Sequence, residues 1–151
     1  MKFDETLKTK ILFEISQINK LLNDSKPLID LCKLKIPDFI ELSAAALILH
    51  SFYNGIENIL KLITKFYDNK LPNGNKWHME LLDNAFVSNE NRKQIFKIEI
   101  KELLEEYLKL RHFIRHSYGF QLEWSRIENL MNNINKFWEI VKDNLTEFMK
   151  D

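Results

Sequence analysis

Arg111 and His116 stand five positions apart, and Tyr118 follows two positions later. The segment therefore reads R-x-x-x-x-H-x-Y, with Gly119 next in line. Two arginines and two histidines (Arg111, His112, Arg115 and His116) fall within six positions, whereas the other arginines of the chain are only Arg92 and Arg126. A guanidinium offers fixed donors to developing negative charge, and an imidazole titrates near neutral pH. Together they suit phosphodiester chemistry, in which a phosphate is held while protons move.

The spacing sets limits on how these groups can cooperate. Five positions on an ideal helix turn through about 500°, so Arg111 and His116 lie about 140° apart and do not share a face. Both precede Gly119, a natural C-cap, and a tightened last turn would bring them nearer. Arg111 with Arg115, and His112 with His116, do share a face. On the residues alone four readings stand open. Basic residues at a helix C-terminus complement its dipole and need no further role. A zinc pair at His112 and His116 has the spacing, but lacks the glutamate of H-E-x-x-H and a third ligand. A site that binds phosphate or a nucleotide is the third reading, and a catalytic ribonuclease site the fourth.

The elements that must carry these groups read as helices. There are 3 glycines and 3 prolines, and little strand-like alternation. Breaks fall at Ser25-Lys26-Pro27, at Pro37-Asp38, at Pro72-Asn73-Gly74-Asn75, around Ser88-Asn89-Glu90-Asn91, and at Gly119. A first helix is predicted from about residue 4 to about residue 23, with Leu7, Ile11, Ile15, Ile18 and Leu22 on one face. Pro27 then suits the first turn of a short helix, or a kink, reaching to about residue 35. A spine helix is predicted over about 37–68. Leu42, Ala46, Leu49, Tyr53, Ile56, Leu60, Ile63 and Tyr67 form one stripe. Ala45, Ile48, Phe52, Ile59, Leu62 and Phe66 form the next, so that the helix is buried against more than one neighbour. His50, Asn54, Glu57, Lys61 and Thr64 are left for its remaining face.

Residues 70–76 read as a turn, followed by a short helix carrying Trp77, Leu81 and Leu82. A long helix is predicted over about 93–118, with a seam of Phe96, Ile100, Leu103, Tyr107, Leu110 and Ile114. The last helix is predicted to open on a Ser125–Glu128 capping box. Its seam is Ile127, Met131, Ile134, Trp138, Val141, Leu145 and Phe148. The expected fold is an all-α, mostly antiparallel bundle of four or five helices, forming a single domain over 1–151, with no internal repeat.

Composition narrows the function. Hydrophobic residues make up 45% and charged residues 29%, a globular balance. The 22 basic and 22 acidic side chains cancel, which argues against a protein that coats nucleic acid non-specifically but leaves room for a local basic site. The single cysteine, Cys32, excludes disulfide scaffolds and cysteine-rich zinc sites, and its apolar surroundings make it a small core residue. The start of the chain has no apolar segment of a signal peptide, and no uninterrupted apolar run approaches the ~20 residues of a membrane span. A cytoplasmic protein with no membrane partner is the expectation.

Arg111, His116 and Tyr118, on a late helix of an α-bundle, resemble the signature of the HEPN superfamily, and most closely the HepT-like toxins of MNT–HEPN toxin–antitoxin pairs. LPNGNKWHMELL at 71–82, LRHFIRHSYG at 110–119 and the closing amphipathic helix add to the likeness. The resemblance implies a metal-independent endoribonuclease, without a cofactor, in which the ribose 2′-hydroxyl attacks the adjacent phosphate. It implies His116 as general base or acid. Arg111 would hold the phosphate and stabilise charge in the transition state. DNA lacks the nucleophile and would not be cut. Members of the family usually form homodimers in which two motifs face one cleft, which here would double the local positive charge. The resemblance also gives Tyr118 a role: the partner minimal nucleotidyltransferase, the antitoxin, transfers AMP to it and so silences the toxin. Added bulk and negative charge beside cations that hold RNA phosphate would do this.

Other residues are supporting candidates. Asn54 and Glu57 would line the cleft or position Arg111, or else lie at the surface. Trp77 and His78 would stack on a base or close the bundle. Arg115, His112 and Ser117 would assist or face water. Two rival functions remain: a non-catalytic HEPN-like module that binds a nucleotide or a protein, and an antitoxin to a nucleotidyltransferase toxin. A neighbouring gene encoding a small nucleotidyltransferase would support the paired system.

Overall fold

The structure, a computed structural model, describes residues 2–116 and 122–151. Among these residues the regular elements are helical: α1 (Glu5–Asp24), α2 (Lys26–Leu34), α3 (Phe39–Asp68), α4 (Trp77–Asn84), α5 (Lys101–His116), α6 (Trp124–Asn132) and α7 (Ile134–Phe148). A 3-10 turn at Ile98–Ile100 leads into α5, and an isolated bridge joins Asn89 to Arg92. The all-α bundle expected from the sequence is what forms. It has more segments than the expected four or five because two long helical stretches are broken. Ser25 and Pro27 separate α1 from α2, and Asn133, outside helical geometry at φ −109° and ψ 9°, separates α6 from α7.

The spine α3 begins where the Asp38 side chain accepts a hydrogen bond from the Glu41 backbone N–H at 2.8 Å, and Glu41 Oε1 accepts one from the Asp38 backbone N–H at 2.9 Å. This capping box satisfies donors that the first turn would otherwise leave open. Asn69 ends the helix in the left-handed region at φ 63°, which asparagine tolerates. By length and composition α3 would suffice to cross a bilayer. Here Ala45, Leu49, Phe52, Tyr53, Ile56, Ile59, Leu60 and Ile63 are buried against the other helices. α1 packs closest to it: a Cβ on Gly55 would come within 2.6 Å of Ile18 Cγ1, so that glycine sets the approach of the two helices.

The first stripe foreseen on α3 forms, and the second forms except at its end, where Phe66 is exposed; on the third face Glu57 and Thr64 are buried. The water-facing line runs instead through Ser43, Ala44, Leu47, Asn54 and Asn58. Its first turns are apolar. Ile40 and Leu47 stay exposed there, and Leu34, Ile36 and Phe39 continue the patch around the α2–α3 junction.

Two boundaries also differ. The helix expected from about 93 starts only at 98, in the 3-10 turn. Ile95 and Phe96 instead send their N–H groups to Ala85 O, at 2.9 and 3.0 Å, and Lys97 N–H donates to Asn144 Oδ1 at 2.8 Å. These tertiary bonds hold the segment out of the helix, bent at Ile95 and Phe96. On α5 Leu104 takes the central position and Leu103 lies at the edge. Nor does α6 open on Ser125. It begins at Trp124 with Glu123 as N-cap and no side-chain bond there, so the expected Ser125–Glu128 box is absent. The buried Leu122 anchors the chain just ahead of Trp124. The closing seam Ile127, Met131, Ile134, Trp138, Val141, Leu145 and Phe148 is buried throughout, and Cys32 lies in the core.

Candidate functional site

The apolar seam of α5 runs Leu104, Tyr107, Leu108, and the next inward position is Arg111. Helical periodicity therefore carries a guanidinium into the space where a leucine would be expected. Arg111 is only 9% exposed, and its Nε is buried without a hydrogen-bond partner among the described residues. None of the ion pairs among those residues includes it. His116, His112 and Arg115 are exposed. The rings of His112 and His116 lie 4.5 Å apart, one turn from each other. Arg111 and His116 thus occupy different sides of the helix, as their spacing requires. Tyr118 and Gly119 lie outside the described residues.

Opposite Arg111, α3 presents His50, Tyr53 and Glu57, one turn apart in succession. Tyr53 is wholly buried and its hydroxyl has no partner among the described residues. Burial raises the phenol pKa far above its ordinary value; the Glu57 charge adds to the shift and Arg111 opposes it. The pKa of His50 is lowered, first by burial and then by the charges of Arg111 and Arg115, with Glu57 pulling the other way. Both groups therefore feel Glu57 and Arg111 together. The stripe on α3 and the end of α5 share one electrostatic neighbourhood.

α4 closes this neighbourhood, packing on both α3 and α5. His78 places its Nδ1 2.7 Å from Glu57 Oε2. The Glu57 side chain is 2% exposed and that of His78 22%. The ring of Trp77 lies against His78 with centroids 3.5 Å apart and planes inclined at 30°. The Lys61 ammonium covers Trp77 at 4.7 Å from the ring centroid. Trp77 itself is only partly buried.

Of the supporting candidates, the structure draws Glu57 into this buried cluster and leaves Asn54 and Arg115 at the surface. Sequence reasoning passed over two members. The apolar stripe takes Tyr53 as core, and the remaining face of the helix takes His50 without a role. The signal available for them was the spacing of His50, Tyr53 and Glu57, which puts three polar groups on one line inside an otherwise apolar helix.

A family model described as HepT-like protein matches residues 44–151. The match takes in most of α3 and everything after it, and so includes Glu57, His78, Arg111 and His116. No curated protein and no solved structure matches the chain.

Proposed function

The chain belongs to the HepT-like family, and from that premise we propose that it is the ribonuclease toxin of a toxin–antitoxin pair, acting on RNA in the cytoplasm. One observation carries the reading. Arg111 is buried, without an ion pair among the described residues, where its charge reaches the buried Tyr53 hydroxyl, and its helix end also displays His112, Arg115 and His116. Burying a cation without a carboxylate partner is costly, and that cost has a use if an anion arrives to complete the site. RNA phosphate is that anion.

In this mechanism the phosphate settles against Arg111. The 2′-hydroxyl gives its proton to His116, and 2′-O attacks phosphorus. The bond from phosphorus to the 5′-oxygen breaks, leaving a 2′,3′-cyclic phosphate. Arg111 stabilises the charge that builds on the equatorial oxygens. The nucleophile belongs to the substrate, so the step needs no metal ion.

Two further elements belong to the proposal. The exposed apolar patch of Leu34, Ile36, Phe39, Ile40 and Leu47 supports homodimerisation. It spans the α2–α3 junction and the first turns of α3, the helix that also carries His50. AMP transfer to Tyr118 by a partner nucleotidyltransferase would place negative charge next to His116 and Arg115 and block the phosphate. Tyr118→Phe should then stay toxic and escape silencing, read by growth assay and by peptide mass.

The decisive experiment incubates purified protein with an RNA oligonucleotide and with its 2′-deoxy counterpart, in EDTA. Cleavage of the first alone, leaving a cyclic phosphate and abolished in His116→Ala, is the expected result. Cleavage of both, or full activity in His116→Ala, defeats the reading.

A further inference from the structure

Cleavage by the 2′-hydroxyl needs two proton transfers. One proton leaves the 2′-oxygen, and another must reach the departing 5′-oxygen, which is a poor leaving group as an alkoxide. His116 accounts for one of the two. The opposite end of the same electrostatic neighbourhood holds a second imidazole with the build of an acid–base group.

That imidazole is His78. Its Nδ1 lies 2.7 Å from the Oε2 of Glu57. An ionised carboxylate can only accept, so Nδ1 carries the hydrogen of this bond. The tautomer is thereby fixed, and Nε2 becomes the nitrogen that exchanges protons. Among the described residues the hydrogen bond through Nδ1 is the one His78 makes. The ring cannot swing, since Trp77 lies against it and Lys61 covers Trp77. Glu57 is buried, while His78 keeps an open edge. A buried carboxylate that orients an imidazole with one working nitrogen is an arrangement for proton transfer.

We infer that His78 is the general acid that protonates the 5′-oxygen, and that Glu57 is the residue that positions it. The inference deepens the ribonuclease reading and rests on it. The geometry favours this over a plain cross-link between α4 and α3. A cross-link needs no open edge and no ring stacked in one plane, and His78 has both. α4, which carries His78, packs on both α3 and α5, and Tyr53 and His50 each sense both Glu57 and Arg111. The step balances. The proton leaves Nε2 of the imidazolium as the bond from phosphorus to the 5′-oxygen breaks, and the electron pair of that bond takes it up.

The charged and titratable groups tied to this pair are Glu57 itself, Lys61 over the ring of Trp77, and Tyr53, which senses Glu57, Arg111 and Asp83. Each must be kept in place when the pH dependence is read. His78→Asn serves this purpose, because its amide nitrogen can still donate to Glu57 while nothing remains to titrate.

The test uses the full chain and two substrates: an RNA dinucleotide, and the same molecule with sulfur in place of the bridging 5′-oxygen. A thiolate leaves without a proton. His78→Asn should lose about 100- to 10,000-fold in kcat on the oxygen substrate, the range that a positioned proton donor supplies. It should lose the alkaline limb of the pH–rate profile as well, and recover nearly wild-type cleavage on the sulfur substrate. His116→Ala should not recover there. Glu57→Gln should fall between wild type and His78→Asn on the oxygen substrate and also recover on sulfur. Equal losses on both substrates, or unimpaired cleavage of the oxygen substrate by His78→Asn, would overturn the role of His78 while leaving the ribonuclease reading intact. A wild-type protein that cuts neither substrate overturns both. A readout free of activity is the proton–nitrogen correlation spectrum of the histidines. It should show His78 protonated at Nδ1, with Glu57→Gln abolishing that preference, and a hydrogen fixed on Nε2 instead would refute the inference.

Discussion

Arg92 and Arg111 are both buried arginines, and the protein treats them in opposite ways. The terminal nitrogens of Arg92 are fully used. Nη1 donates to Val87 O at 3.0 Å and to Lys93 O at 3.3 Å, and Nη2 donates to Asn84 O at 3.1 Å and to Asp68 Oδ2 at 3.2 Å. One side chain thereby stitches the 84–93 loop to the C-terminal end of α3. Arg111 sits in the seam of α5 without an ion pair among the described residues, next to the unpartnered hydroxyl of Tyr53. Each leaves Nε without a partner, so that atom does not separate them. What separates them is the counter-charge: Asp68 neutralises Arg92 at contact distance, whereas Glu57, the carboxylate whose field overlaps that of Arg111, is committed to His78. The first arginine is part of the scaffold, and the second has no counter-charge in contact among the described residues.

The largest test of that contrast replaces each arginine. Arg92→Ala strands Asp68 and the loop carbonyls, and should cost about 3–5 kcal/mol of stability, measured by denaturant unfolding. Arg111→Met keeps the apolar stem and removes an unpaired buried charge, so stability should hold or rise by up to ~1 kcal/mol. Its RNA cleavage should nevertheless fall about 100- to 1,000-fold, as expected for loss of one transition-state donor. Similar stability losses from both substitutions would end the comparison.

A smaller effect is expected on the scaffold side at Gly55. Alanine there must push Ile18 aside, which should cost about 1–3 kcal/mol, seen as a lower denaturation midpoint with an unchanged slope. Asp38→Ala removes half of the α3 capping box and should cost ~1 kcal/mol, with cleavage unaffected.

The smallest effect is a titration. His50 has its pKa depressed in the fold, so between its folded and ordinary values the unfolded chain binds more protons. This group therefore weakens the protein as pH falls through the ordinary imidazole range, and adds nothing above it. Arg111→Met removes the larger of the two charges responsible and should move the His50 pKa back up, followed by proton NMR. Glu57→Gln should move it further down. No shift in either variant would mean that these groups do not share one environment.

Much of this was open to reading from the order of residues. Leu7, Ile11, Ile15, Ile18 and Leu22 declare α1, and the double stripe of α3 declares a helix covered on two sides. The seam from Ile127 to Phe148 is buried at each of its expected positions, since apolar periodicity and burial are the same information when a helix lies on a core. The chain order also shows Arg111, His116 and Tyr118 at the spacing R-x-x-x-x-H-x-Y, which is what makes the family resemblance visible.

What the chain order left open was decided by contacts between distant segments. The stretch before α5 is kept out of the helix because Ala85 O and Asn144 Oδ1 take its N–H groups, and no local propensity encodes partners 10 and 47 positions away. The Asp38–Glu41 box formed and the Ser125–Glu128 box did not, although both have the spacing; burial of Leu122 ahead of Trp124 fixes where α6 begins. Glu57 reads as surface on a helical wheel. It becomes a buried acid only because α4 folds over it and brings His78 to 2.7 Å. The sequence by itself determined the helices, the family and the cationic end of α5. Only tertiary packing decided which of the polar groups lie inside, because the energy of a buried charge is set by what surrounds it in space.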